Sequence, residues 1–281
     1  MSSKHLSRNT QSNAAREFIK ILEHIDYTRP LWAVFEDWIF MAAAAIHNRV
    51  VFDQSIEDAY LERARKYKPT ALTSMAELLG LATAELVDNP QDFLGEVFEA
   101  SLQTNANLGQ FFTPWTISLL MAQMIMGTLE TKPNRIITIS EPACGAGGMV
   151  MAACAVLAGQ GINYASHACI YAQDIDATCA RMTYIQLSLS GAAAIVSCGD
   201  TLRLTCNWAW PTPAYVLNQV GERLATQRQM EAIYELLELD SQAVPEASSA
   251  VNQQIMPVSP DVELPAARSG ARQLELFEVS A

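Results

Sequence analysis

The 281-residue sequence predicts an α/β fold: a parallel sheet built from crossover units, preceded by a helical N-terminal region. Three observations predict it. First, short apolar runs alternate with helical segments. RIITISEPA, ACIYAQDID and AAIVSCGD are separated by GMVMAACAVLAG and ATCARMTYIQLSLSG. Second, the first run ends in a glycine-rich turn, EPACGAGGM, Glu141 to Met149. Third, the hundred residues ahead carry their apolar side chains at helical spacing.

Each element follows from its own pattern. Phe18, Ile21, Leu22 and Ile25 form the stripe of a first helix. Pro30 opens a second, LWAVFEDWIFMAAAAIHN, apolar nearly all round and therefore buried. Ser55 with Asp58 reads as a variant capping box opening a third. Its end, RARKYK from Arg63 to Lys68, either complements the helix dipole in solvent or meets nucleic-acid phosphate. TSMAELLGLATAELV and DFLGEVFEASL add further helix. In LGQFFTPWTISLLMAQM, Thr113 is the expected N-cap and Pro114 the first helical residue. Ile117, Leu120, Met121, Met124 and Ile125 then form the expected buried stripe. After the third strand, TLRLTCNWAWPT has no clear period, PAYVLNQV reads as a fourth strand, and GERLATQRQMEAIYELLEL reads as a helix. Beyond Asp240 the chain is polar, proline-bearing and without periodicity, a disordered tail. The expected organisation is a helical region over 1–100, the α/β domain over 101–240, and the tail over 241–281.

Composition narrows the function. Half of the residues are hydrophobic and the net charge is −12, which suits a soluble globular protein and not one that coats nucleic acid non-specifically. The acidity lies outside the middle of the chain, because Ser101 to Val220 holds five acids against four bases. The longest apolar run, Trp38 to Ile46, is too short to span a bilayer. The first residues have no apolar core of a secretory signal. Six cysteines without a C-x-x-C pair give neither a zinc knuckle nor a disulfide framework, so no metal is expected and a reducing cytoplasm is the natural setting.

Ligands of open parallel sheets bind at the carboxyl ends of the strands. There the sequence places Gly145, Gly147 and Gly148, where backbone can approach a ligand closely, then Asp174 with Asp176, then Gly199-Asp200. An acid after the second strand suits ribose hydroxyls, whereas Asp176 serves equally well as a helix cap and Asp200 as a turn aspartate. Cys144 is the cysteine expected beside a ligand.

In this order, DFLGEVFE, GQFFTP, EPACGAGGM, AQDIDATCARM and GDTL resemble the S-adenosylmethionine-dependent DNA adenine-N6 methyltransferases, specifically the modification subunits of type I restriction systems. The resemblance runs from about Asp92 to Val220. It implies a Rossmann-like methyltransferase sheet, lacking the last strands of the family, and S-adenosylmethionine as cofactor. Phe112, Thr113 and Pro114 would form one wall of its pocket. The motif from Glu141, Pro142 and Ala143 through Gly145, Gly147 and Gly148 would surround the methionine end. Asp174 would take the ribose and Asp200 the adenine. The implied partners are DNA and a specificity subunit, a second methyltransferase subunit or a further copy of the chain.

One motif departs from the family. Its catalytic Asn-Pro-Pro-aromatic turn accepts hydrogen bonds from the amino group of a flipped adenine and stacks an aromatic ring on the base. Here Asn218, the candidate catalytic residue, is followed by Gln219, Val220 and Gly221, without the rigid prolines or the stacking ring. The chain also ends soon afterwards, so the fourth strand is expected to be a sheet edge covered by the following helix, the N-terminal helices or another subunit. Two functions follow: adenine-N6 methylation of DNA, with a partner supplying missing parts, or a catalytically inactive binding protein that regulates DNA-modification or replication machinery. A small-molecule methyltransferase fits GQFFTP less well. In the tail, Gln273, Leu274, Leu276 and Phe277 resemble the peptide that binds the bacterial sliding clamp, whose apolar anchors enter a groove.

Overall fold

The computed structural model describes residues 12–87, 89–102, 112–129 and 135–242. Of the tail expected over 241–281, the first two residues end the last helix, and the rest with its clamp-like peptide lies outside the described residues, as do Gln110 and Phe111. Five helices come first: α1 Asn13–Ile25, α2 Leu31–Asn48, α3 Gln54–Ala64, α4 Pro69–Leu86 and α5 Phe93–Leu102. Then follow α6 Trp115–Met126, β1 Ile137–Glu141, α7 Gly148–Gly159, α8 Tyr164–His167, β2 Ala168–Asp174, α9 Ala177–Leu189 and β3 Ala194–Cys198. The last elements are β4 Trp208–Pro211, α10 Pro213–Leu217 and α11 Val220–Gln242.

The sheet has the order β1-β2-β3-β4, with the first three strands parallel and β4 antiparallel to β3. Helical crossovers on such strands give a Rossmann-like α/β arrangement. Register places Glu141 opposite Ala172 and Asp174 opposite Cys198, so the loops after β1, β2 and β3 leave the sheet along one edge.

The helical region and the sheet share one core. Phe18 of α1 meets Trp38 of α2 edge-on at 4.9 Å and Phe93 of α5 at 5.7 Å. The Trp38 indole donates to Met75 O at 2.9 Å, which satisfies its one polar atom inside the core. As expected, α2 is buried nearly all round, and it packs on α9. Asp37 is therefore carried inside, where it needs partners. Arg29 Nη1 lies at 2.7 Å, the Tyr67 hydroxyl donates at 2.8 Å, and Arg63 Nε and Lys66 Nζ stand at 3.5 and 3.8 Å. Two cations of the RARKYK cluster thus face a carboxylate, and the Arg63 guanidinium lies 3.6 Å over the Phe40 ring.

Gln186 of α9 is the buried tie between the two regions. Its Oε1 accepts from Leu94 N at 3.0 Å, and its Nε2 donates to Asp92 Oδ1 at 2.9 Å and Ala146 O at 2.7 Å. One amide so fixes α5, Asp92 and the glycine-rich turn to one another.

Four local expectations are corrected. Pro114 is the N-cap of α6 and no side chain caps it; Thr113 makes no capping bond. The stripe Ile117, Leu120, Met121, Met124 and Ile125 is 43–75% exposed, because α6 packs on α7 with its small face, Ser118 and Ala122, beside Trp115, Leu119 and Met126. The cap of α3 is Asp53, whose Oδ1 accepts from Ser55 N at 2.7 Å and Ile56 N at 3.3 Å; Ser55 and Asp58 lie inside the helix. PAYVLNQV is not a strand. Thr212 closes β4 by donating to Ala192 O at 2.7 Å and accepting from Ala194 N at 2.9 Å, and Pro213 then opens α10. The fourth strand is WAWP, inside the segment that had no clear period.

The ring of His47 is stacked on Trp210 of β4 at 4.6 Å, 4% exposed, and its Nδ1 has no hydrogen-bond partner. Burial lowers its pKa from the ordinary histidine value, against a smaller upward pull from Asp53. The unfolded chain therefore binds this proton more readily, so stability falls as pH drops through about 6.5 toward the folded-state pKa. Replacing His47 with Phe keeps the stack and removes the proton. Urea titrations from pH 7.5 to 5 are expected to show a shallower loss of stability for H47F than for the wild type. The Gln186→Leu substitution strands Leu94 N–H and the Ala146 carbonyl inside the protein. Each stranded group costs about 1–3 kcal/mol. Urea unfolding is thus expected to show a loss of about 3 kcal/mol; a loss below about 1 kcal/mol contradicts the tie.

Candidate functional site

The turn after β1 is built by its own hydrogen bonds. Ala143 N donates to Glu141 Oε1 at 3.1 Å, Cys144 N to Gln173 O at 2.9 Å, and Gly147 N to Cys144 O at 2.8 Å. Gly145 N donates to Asp174 Oδ2 at 2.8 Å, and the Thr183 hydroxyl donates to Gly145 O at 2.9 Å. Gly145 and Gly147 adopt φ of +54° and +106°, in the left-handed region that glycine enters without a side-chain clash. A Cβ at Gly145 would lie 3.1 Å from the Phe112 ring, and one at Gly148 would lie 2.9 Å from Asp92 Oδ2. The glycines therefore let the two walls of a cleft approach each other.

That cleft has a volume of about 310 Å³. Phe112, Thr113 and Asp92 line one side; the turn residues Ala143 to Ala146 with Gly148 and Met149 line the other. Asp174 and Cys179 complete it. The structure so brings together Phe112, Thr113, Ala143, Gly145, Gly148 and Asp174 of the sequence-predicted residues. Glu141 and Gly147 support the turn from outside the lining, and Pro142 O accepts from the Thr201 hydroxyl at 2.7 Å, which ties the loop after β3 to the turn. Pro114 starts α6 beside the lining residues.

Asp200 does not line this cleft. Its Oδ1 accepts from Leu202 N and Arg203 N at 3.0 and 3.1 Å, the geometry of a turn aspartate. Asp176 caps α9, accepting from Thr178 N at 2.7 Å and Cys179 N at 3.1 Å. Asn218 is further removed. It ends α10, and its side-chain amide donates to Ala165 O at 2.8 Å in α8, immediately ahead of β2. That is the amino end of the strands, opposite the cleft.

Cys144 lines the cleft as well, whereas sequence reasoning missed Asp92, Ala146, Met149 and Cys179 as lining residues. Asp92 stood in the quoted DFLGEVFE segment but reads as an ordinary helix cap, and it does accept from Gly95 N at 3.0 Å. Desolvation raises its pKa, and desolvation followed by Asp92 itself raises that of Glu99. Burial pushes the Cys144 thiol up to about 12, so it is no nucleophile at neutral pH.

The donor set has a definite chemistry. On one wall the buried Asp92, whose pKa desolvation raises, gains its charged form by pairing with a cation. The opposite wall is the start of α7, whose first turn no side chain caps and which favours an anion. Asp174 stands at the end of β2, where an acid suits hydroxyl groups. An amino acid joined to a nucleoside, as in S-adenosylmethionine, carries these three features, so the residues present fit it. Among the described residues no group of three or more His, Cys, Asp or Glu side chains is placed to hold a metal ion, and no helix is long and apolar enough to cross a membrane.

Comparison with known proteins agrees with the segment that builds the cleft. Residues 89–210 match the family model described as N-6 DNA Methylase. The type I restriction enzyme MjaIX methylase subunit of Methanocaldococcus jannaschii is 29% identical over 116 residues, which cover 40% of this chain and 19% of that subunit. Among solved structures, a Listeria monocytogenes protein described as a class I S-adenosylmethionine-dependent methyltransferase overlaps with a TM-score of 0.42 and 12% identity, over 66% of this chain and 52% of that one. The type I restriction-modification methyltransferase subunit of Streptococcus thermophilus overlaps with a TM-score of 0.39 and 15% identity, over 74% and 60%. The chain spans less than two thirds of the length of each of these proteins. The match to the N-6 DNA methylase family model thus covers residues 89–210, a little under half of the chain, and contains every residue that lines the cleft.

Proposed function

We propose that the cleft binds S-adenosylmethionine and that the chain serves DNA adenine-N6 modification as a cofactor-holding component. The observation that carries this reading is the cleft itself, where Asp92, the glycine-rich turn and Asp174 converge on one volume. When bound, S-adenosylmethionine supplies an electrophilic methyl group. Asp92, with Glu99 behind it, holds the ammonium of the methionine end; the first turn of α7 meets its carboxylate. Phe112 closes that side against water, Asp174 takes the ribose, and the loop carrying Asp200 borders the adenine.

A second reading, binding without unaided catalysis, is favoured by one observation. Asn218 lies at the amino end of β2, and its amide is held by Ala165. Positioning of reacting groups is worth orders of magnitude in rate, so an asparagine at the wrong end of the sheet supplies none of it. On this reading methyl transfer needs another chain, such as a specificity or second methyltransferase subunit, or the chain regulates such a complex. The C-terminal peptide Gln273, Leu274, Leu276 and Phe277 offers a bacterial sliding clamp as a further partner.

Equilibrium dialysis with labelled S-adenosylmethionine tests the proposal. Saturable binding is expected, weakened about 10-fold or more by Asp174→Asn, the equivalent of one charge-assisted hydrogen bond. Absence of binding overturns the proposal. In the same samples, unmethylated DNA is expected to remain unlabelled; label in N6-methyladenine overturns the second reading alone. For the tail, replacing Leu276 and Phe277 with alanine is expected to abolish capture by immobilised clamp, and undiminished capture refutes that partner.

A further inference from the structure

Arg181 of α9 carries a charge that the fold leaves unanswered. Among the described residues it makes no hydrogen bond and no ion pair, and its Nε is buried. Its surroundings are aromatic and cationic. The guanidinium lies 4.9 Å over the Phe40 ring and 5.5 Å over the Trp208 ring, and the Arg63 guanidinium lies 3.6 Å over the same Phe40 ring. Burial lowers the pKa of Arg181 and the nearby charge of Arg63 lowers it further; Cys198, Glu36 and Asp176 pull the other way more weakly. Asp37 offers no relief, because Arg29, Arg63 and Lys66 already share it. Contact with aromatic faces offsets only part of the cost of a half-buried, unpaired cation. In a chain of net charge −12, such a local excess of cations calls for a ligand.

The patch lies at the same end of the sheet as the cleft. Trp208 pairs with Cys198, the last residue of β3, and so stands at the carboxyl ends of the parallel strands. Cys179 of α9 lines the cleft, and Arg181, two residues on, is turned about 200° from it round the helix. Cleft and patch are therefore on opposite sides of one helix. An oxyanion on this patch would give the guanidinium its missing partner and would ease the repulsion from Arg63. Trp208 is half-buried, so an indole that solvent still reaches stands beside the two cations.

We propose that a phosphate of DNA docks on the Arg181 guanidinium beside Trp208, with Arg63 supplying the second positive charge. DNA then passes the β3–β4 side of the sheet end that carries the cleft. The demand for an anion rests on the arginines and their rings; that the phosphate belongs to DNA rests on the proposed function.

The test is binding of end-labelled, unmethylated duplex DNA to the full chain, read by fluorescence anisotropy over a range of salt concentrations. The wild type is expected to bind, more weakly as salt rises. Arg181→Gln is expected to bind about 10-fold more weakly, with the slope of log affinity against log salt reduced by about 1. Arg228→Gln, at an exposed arginine of α11, is expected to change neither. A second measurement leaves Arg181 in place: DNA is expected to quench the tryptophan fluorescence of the wild type, and Trp208→Phe, which keeps an aromatic ring, is expected to lose most of that quench. A wild type that does not bind DNA overturns the proposal, as does an Arg181→Gln variant with the affinity and slope of the wild type. An equal loss in Arg228→Gln overturns it too, since overall charge alone is then being read, and so does a quench unaltered by Trp208→Phe. Binding of S-adenosylmethionine is expected to be unchanged in Arg181→Gln, so failure here leaves the cofactor reading standing, and failure of cofactor binding leaves this one standing.

Discussion

The side-chain amide of Gln186 is the interaction on which the rest of the site depends. It is fully buried, and a buried amide must find partners for both its oxygen and its nitrogen. Those partners come from two places far apart in sequence: Asp92 and Leu94 at the start of α5, and Ala146 in the glycine-rich turn. The N-terminal helices are therefore more than a separate cover for the sheet. They supply one wall of the cleft, and α9 fixes that wall at the distance the glycines permit.

Asp174 does the same on the sheet side. Its two carboxylate oxygens accept from Gly145 N and Asp176 N, which couples the end of β2 to the turn after β1 and to the start of α9. The Thr201 hydroxyl adds the loop after β3. The residues that line the cleft are thus collected at the carboxyl ends of the strands. At the amino ends, Asn218 and Arg223 hold the carbonyls of Ala165 and Ser166 in α8. These contacts give Asn218 a structural task, and they separate it from the cleft by the length of the sheet.

The sequence made the three parallel strands and the glycine-rich turn legible because apolar runs and helices alternate there at crossover spacing. The resemblance, read from the order of the motifs, grouped Phe112, Gly145 and Asp174, and the structure lines one cleft with them. Other features were hidden for physical reasons. β4 is four residues long and antiparallel, too short for a period to register. AYVL is apolar enough to pass for a strand, yet Pro213 in the first helical position decides for a helix. The stripe on α6 shows a limit of periodicity: it reveals that one face is apolar, not that this face is buried. Ser118 and Ala122 allow close approach to α7, and close approach turns the large residues outward. Asp92 escaped notice because its capping bond to Gly95 explains it locally, while its second oxygen borders the cleft.

The measurement that tests this account most directly is hydrogen–deuterium exchange with and without S-adenosylmethionine. If the cleft is the binding site, exchange slows in the glycine-rich turn from Ala143 to Met149 and at the end of β2 from Asp174 to Cys179, and stays unchanged around Asn218. Unchanged exchange in the turn, or protection confined to the segment around Asn218, would contradict it.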